Sequence, residues 1–235
     1  MEDFNDKIDE IMDDGKKTPK TYVAIVLDSS GSMSNISIEI TQGLQSQLDM
    51  FVENDKKTPI KLSVVVFADK VIPRFWDLSP VSAKETMEHF TYIPAGMTAL
   101  CDAVGLVIEK FDVIAKNDKE AAFLIVIMSD GQENASQEYH APKIKEMIEE
   151  RTATNRWTFT YMGANQDMWE VSQVYGIAKG NTQAFCADSM GVKDAYSTQT
   201  MSYANYFNDR IGGVTSTKAF YDATAKEPEQ KKWSR

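Results

Sequence analysis

Apolar positions along the chain follow two rhythms. Thr21 to Leu27 (TYVAIVL) and Ala121 to Ser129 (AAFLIVIMS) are unbroken apolar runs, the pattern of strands covered on both faces. Ile60 to Ala68 and Val71 to Trp76 flank the short Asp69-Lys70 turn and read as an antiparallel hairpin. Pro73 lies in the second of these strands and cannot donate to a ladder, which places that strand at a sheet edge. Trp157 to Met162 and Lys179 to Phe185 complete the strands.

Between the strands the spacing turns helical. Asn35 to Glu53 carries Ile36, Ile40, Leu44, Leu48, Phe51 and Val52 on one face. Ser79-Pro80 caps and opens a short helix to about Phe90, and a loop at Pro94-Ala95-Gly96-Met97 leads into a helix from Thr98 to about Ala115. Further helices are predicted from Gln137 to Glu150, after Asn165, and from Asp188 through Val192, Tyr196, Tyr203 and Phe207 to Gly212-Gly213. Strands alternating with helices, apart from one hairpin, predict an α/β fold. Its sheet is doubly wound, mostly parallel and six-stranded, with one antiparallel edge strand and helices on both faces. The domain spans 21–212. Residues 1–20 read as an acidic extension with amphipathic spacing at Phe4, Ile8, Ile11 and Met12, and 213–235 as a polar tail, both of them mobile.

Charge narrows the function. The net charge is −10, from 25 Lys and Arg against 35 Asp and Glu, so the field repels phosphate backbones and argues against nucleic acid. No apolar run approaches the ~20 residues a membrane helix needs. MEDFNDKIDE is acidic where a secretory leader is basic and then apolar, so the expected location is cytoplasmic. Cys101, Cys186, His89 and His140 stand too far apart for a zinc ligand set, and both cysteines are expected as buried free thiols. The sequons at Asn35 and Asn134 carry no weight inside a cell.

Ligands of open α/β sheets bind at the carboxyl ends of the strands. The first strand runs straight into Asp28-Ser29-Ser30-Gly31-Ser32-Met33-Ser34, the central strand ends at Ser129-Asp130-Gly131, and Thr98 opens the helix between them. Asp28, Ser30, Ser32, Thr98 and Asp130 thus offer five hard oxygen donors, suited to Mg2+ first, with Mn2+ and Ca2+ as alternatives. Two of the five are ionised. A cation held this way stays electron-poor and takes an anionic oxygen from a partner. Ser29, Met33, Met97 and Gln132 are the candidate ligand rim, with Ser34 beside them; Asp102 reads as a first-turn helix acid.

Asp28-x-Ser30-x-Ser32, Thr98 before an Ala-Leu-x-Asp-Ala helix, and Asp130-Gly131 after an apolar strand resemble the von Willebrand factor A domain and its metal-ion-dependent adhesion site. The resemblance covers residues 20–212 in element order. Ala95-Gly96-Met97 departs from the glycine run that many members have before the Thr. The resemblance implies direct ligation by Ser30, Ser32 and Thr98, with Asp28 and Asp130 acting directly or through water. It further implies a stand-alone bacterial or phage protein that binds an Asp or Glu of a protein partner, and no enzyme activity. Two other readings stand beside it. In a metal-dependent phosphatase Asp28 would be the nucleophile, but Ser30 occupies the place of the acid that such enzymes need. The other is a metal-free scaffold subunit. A masking role for the acidic N-terminal segment at the metal site is a further expectation. Oligomeric state is not legible.

Overall fold

The computed structural model describes residues 19–222. Its strands are β1 (Thr21–Asp28), β2 (Ile60–Phe67), β3 (Val71–Leu78), β4 (Ala122–Ser129), β5 (Trp157–Ala164) and β6 (Thr182–Phe185). Its helices are α1 (Ser37–Asp55), α2 (Pro80–Met87), α3 (Leu100–Asn117), α4 (Ala141–Thr152), α5 (Met168–Tyr175) and α6 (Ser189–Ile211). The sheet order is β3-β2-β1-β4-β5-β6, and every pairing is parallel except β2 with β3.

β1 shows why both faces had to be apolar. Val23, Ile25 and Leu27 join a core under α1, α2 and α6, while Tyr22, Ala24 and Val26 join a second core under α3, α4 and α5. Chain order reverses at β1, which has β2 on one side and β4 on the other. The crevice at the carboxyl ends of β1 and β4 is therefore the switch point where this architecture binds ligands.

Several element boundaries are corrected by local geometry. The first helix is preceded by a 3-10 turn at Gly31–Ile36, so Asn35 lies in that turn. Helix α3 begins at Leu100, because Thr98 and Ala99 are held in the loop: Ala99 N–H donates to Ala68 O at 2.8 Å. Helix α4 begins only at Ala141, because the backbone of Gln137, Glu138 and Tyr139 is drawn onto the Asp102 carboxylate. Lys179–Asn181 forms a 3-10 turn before the shortened β6.

The expected tail also needs correction where it is described. Helix α6 ends near Gly212-Gly213, but Phe220 and Tyr221 are buried in the main core, and Phe220 packs edge-on against Tyr203 with centroids 5.6 Å apart. Asn181 Oδ1 accepts Phe220 N–H at 2.9 Å, and Gly180 O accepts Tyr221 N–H at 2.9 Å. Buried Arg210 closes the same region by donating to Thr21 Oγ1 at 3.0 Å and to Val214 O at 2.9 Å. Cys101 is buried as expected, but Cys186 is exposed, because it lies in the turn between β6 and α6. The N-terminal amphipathic helix and its masking role, and tail residues 223–235, lie outside the described residues. No helix among the described residues is long and apolar enough to cross a membrane.

Candidate metal centre

Register brings the first two carboxylates together. Leu27 on β1 pairs with Met128 on β4, so Asp28 at the end of β1 lies beside Ser129. Ser129 Oγ donates to Asp28 Oδ2 at 2.5 Å, and Ser30 N–H donates to Asp28 Oδ1 at 2.7 Å. One residue past β4, Asp130 Oδ1 accepts Ser32 Oγ at 2.6 Å, and Ser32 Oγ lies 3.1 Å from Ser30 Oγ. Thr98 reaches the same crevice from the α2–α3 loop. A Cβ placed on Gly131 would lie 2.8 Å from Thr98 Oγ1 and 3.5 Å from Asp28 Oδ2. A side chain at Gly131 would therefore crowd the Thr98 hydroxyl. All five sequence-predicted donors converge.

Three loops are tied to one another to hold this arrangement. Ala95 N–H donates to Ser29 O at 2.8 Å and Gly31 N–H to Gly96 O at 3.0 Å. Gly96 has φ +83°, a conformation that strains any residue with a Cβ. Met97 N–H donates to Asp69 Oδ1 at 2.7 Å, and Tyr92 hydroxyl donates to Asp28 O. Thr98 is fixed from both sides: its N–H donates to Asn134 Oδ1 at 2.8 Å, and its carbonyl accepts Asn134 N–H at 3.0 Å. Gln166 Nε2 donates to Gly131 O at 2.9 Å, linking the loop after β5 to the same centre.

The electrostatics separate the two donor carboxylates from a neighbouring structural acid. Burial pushes the Asp28 carboxyl up from its ordinary value; hydrogen bonds from Ser129 and Ser30 oppose this, and the charge of Asp130 adds to it. Burial likewise raises Asp130, against the hydrogen bond from Ser32. Burial also acts to raise Glu133, but donors at Cys101, Ser136 and Ala135 outweigh it and hold that carboxyl below the usual range. Among the described residues, no Lys or Arg forms an ion pair with Asp28 or Asp130. A fully buried carboxylate beside a half-buried one, neither paired with a basic side chain, is costly unless a cation joins them.

A divalent metal fits this donor set. The oxygens are hard, the two carboxylates neutralise a dication, and Thr98 and Asp28 oxygens both lie close to Gly131. No cluster of three or more His, Cys, Asp or Glu exists among the described residues, so a zinc site of the usual nitrogen and sulfur kind does not arise.

The expected rim is partly corrected. Met33 is 0% exposed and packs into the core, because the 3-10 turn aims it inward while Ser32 points out. Ser29 is buried and spends its hydroxyl on Phe67 O at 3.1 Å. Met97 and Gln132 are exposed as expected. Ser34 donates to Gly31 O at 2.7 Å and so braces the loop. Asp102 acts as a loop clamp, accepting Gln137 N–H and Tyr139 N–H at 2.8 Å each. Sequence spacing had not pointed to Tyr92, Asn134, Glu133 or Gln166, whose partners lie far away in the chain.

No family sequence model and no curated protein matches the chain. Solved structures do. Proximal thread matrix protein 1 from the mussel byssus, in a form described as having a zinc-occupied MIDAS motif, aligns with TM-score 0.59 at 17% identity, over 78% of this chain and 45% of that one. The manganese-loaded TRAP protein of Plasmodium vivax aligns with TM-score 0.56 at 16% identity, over 77% of this chain and 72% of that one. BatB, a conserved hypothetical protein of Bacteroides thetaiotaomicron, aligns with TM-score 0.55 at 15% identity, over 79% of this chain and 99% of that one. The chain spans less than half the length of the thread matrix protein. Order of elements, sheet topology and these neighbours together establish that the chain has the von Willebrand factor A fold.

Proposed function

We propose that this protein is a metal-dependent protein-binding module that recognises an Asp or Glu side chain of its partner. The observation that carries the reading is the convergence of Asp28, Ser30, Ser32, Thr98 and Asp130 beside Gly131, with just two of the five being carboxylates. A bound divalent cation, Mg2+ for preference, supplies an electron-poor centre for a carboxylate oxygen. Asp28 and Asp130 neutralise its charge. Ser30, Ser32 and Thr98 add neutral lone pairs, which leave the centre receptive to a third anion. Tyr92, Asn134 and Gln166 position the loops that carry these donors. The zinc-occupied MIDAS motif of one structural neighbour and the manganese of another support a divalent cation here.

The reading includes binding without catalysis. It also includes a cytoplasmic setting and a stand-alone bacterial or phage origin, although neighbours from a mussel, a Plasmodium and a Bacteroides favour no lineage. The test is a pull-down from the native host in Mg2+, eluted with EDTA and repeated with Thr98→Ala. A partner released by EDTA and absent with the variant supports the proposal. A partner that stays bound in EDTA refutes it.

A further inference from the structure

The most exposed large apolar side chains of the described residues gather at one end of the molecule. Val113, at 59%, lies late in α3 and Ile211, at 54%, ends α6; Met190 at 74%, Ile93 at 73%, Ile38 at 67%, Trp169 at 64% and Met97 at 54% form a separate group. All five lie at the carboxyl edge of the sheet, on the loops and first helical turns around the oxygen donors. Ile93 follows Tyr92, which bonds Asp28; Met97 precedes Thr98; and Trp169 comes three residues after Gln166, which bonds Gly131. Ile38 and Met190 each lie next to a residue of the hydrogen bond that joins their helices, from Ser189 Oγ to the Glu39 carboxylate. Water-exposed apolar groups of this size, concentrated round a polar centre, mark an interaction surface.

We infer that this ring is the docking surface for a protein segment presenting one carboxylate flanked by bulky apolar residues and free of further acids. The inference rests on the proposed carboxylate-binding role of the centre. Charge specifies the second half of the description. The exposed charges on the same edge include Asp69, Asp167 and Asp188 against Lys70 and Lys193, in a chain of net charge −10. An acid-rich segment gains at the centre and is repelled at the rim. One acid between apolar side chains, with a basic residue beyond, meets complementary ground at each place. Trp169 and Met190 are the anchors, one a large rigid ring and the other an adaptable thioether.

The test uses two short fluorescein-labelled peptides, one with the core Leu-Phe-Glu-Leu-Lys and one with Ser-Ser-Glu-Ser-Lys, titrated with the full chain in Mg2+. The apolar peptide should bind about tenfold more tightly or better, as anchor residues buried at an interface do. The double variant Trp169→Ser with Met190→Ser should bind both peptides alike, while its affinity for Mn2+ alone stays that of the wild type. Equal affinities of the wild type for the two peptides, retention of the preference by the variant, or no binding of either peptide overturns the ring. Glu→Gln in the apolar peptide and EDTA in the buffer read the underlying centre separately. If neither weakens binding while the variant still does, the ring stands and the carboxylate reading fails.

Discussion

Asp28→Asn should move stability in opposite directions with and without divalent cation. Asp28 is fully buried, with Oδ1 accepting Ser30 N–H and Oδ2 accepting the Ser129 hydroxyl. An Asn keeps the first contact, and the Ser129 hydroxyl can turn to accept from the new amide. The charge alone is lost. Burial first, and then the Asp130 charge, raise the folded carboxyl above its ordinary 3.8. A carboxyl raised on folding favours the folded state below its unfolded value. That contribution disappears as pH rises through the folded value and stays absent at pH 7. In EDTA at neutral pH the variant should therefore match the wild type or exceed it by about 1 kcal/mol, since exchanging a buried charge for a neutral group of the same shape is neutral to stabilising. For a chain of this length that is roughly 2–4 °C in Tm. The gap should narrow at acid pH, where protonation also neutralises Asp28 in the wild type. With cation at 100 times Kd the wild type gains about 2.7 kcal/mol and the variant far less. Thermal melts followed by circular dichroism, at neutral and acid pH and with EDTA or MgCl2, supply the four comparisons. A variant that melts well below the wild type in EDTA at pH 7, yet gains as much from Mg2+, would refute the reasoning.

Gly131→Ala should weaken Mn2+ affinity about 10–100-fold by calorimetry, because its Cβ would sit 2.8 Å from Thr98 Oγ1 and displace that donor. Phe220→Ala should cost about 3–5 kcal/mol in urea denaturation, since Phe220 is buried against Tyr203 and Tyr206. A loss below 1 kcal/mol would show that the segment after α6 is not part of the core. Maleimide should label exposed Cys186 quickly in the folded protein and Cys101 only in denaturant, because burial and the Glu133 charge push the Cys101 thiol up; mass spectrometry of the labelled peptides reads both sites.

The sheet was legible because period-two and continuous apolar runs report burial directly, and Pro73 announced the edge strand correctly. The gathering of Asp28, Ser30, Ser32 and Asp130 was legible because each follows a strand at the switch point, whereas Thr98 lies in the loop before α3, held by Asn134. The helix starts capped by Ser79 and Asp188 were legible too, but those of α3 and α4 were not, because Glu133 and Asp102 satisfy backbone donors there and long-range partners leave no mark in spacing. Met33 misled because a polar loop suggests exposure on all sides, whereas a 3-10 turn sends neighbouring side chains in different directions. The aromatic pair Phe220-Tyr221 stood in a polar stretch as a signal of burial that hydropathy averaging had hidden.

The central claim meets its most direct test in crystals soaked in MnCl2, with diffraction recorded at the manganese absorption edge. The account predicts an anomalous peak about 2.0–2.2 Å from at least two of the Ser30, Ser32 and Thr98 hydroxyl oxygens, with the Asp28 and Asp130 carboxylates facing it directly or across water. A map with no peak there, or with manganese bound elsewhere while these side chains keep their mutual hydrogen bonds, would contradict it.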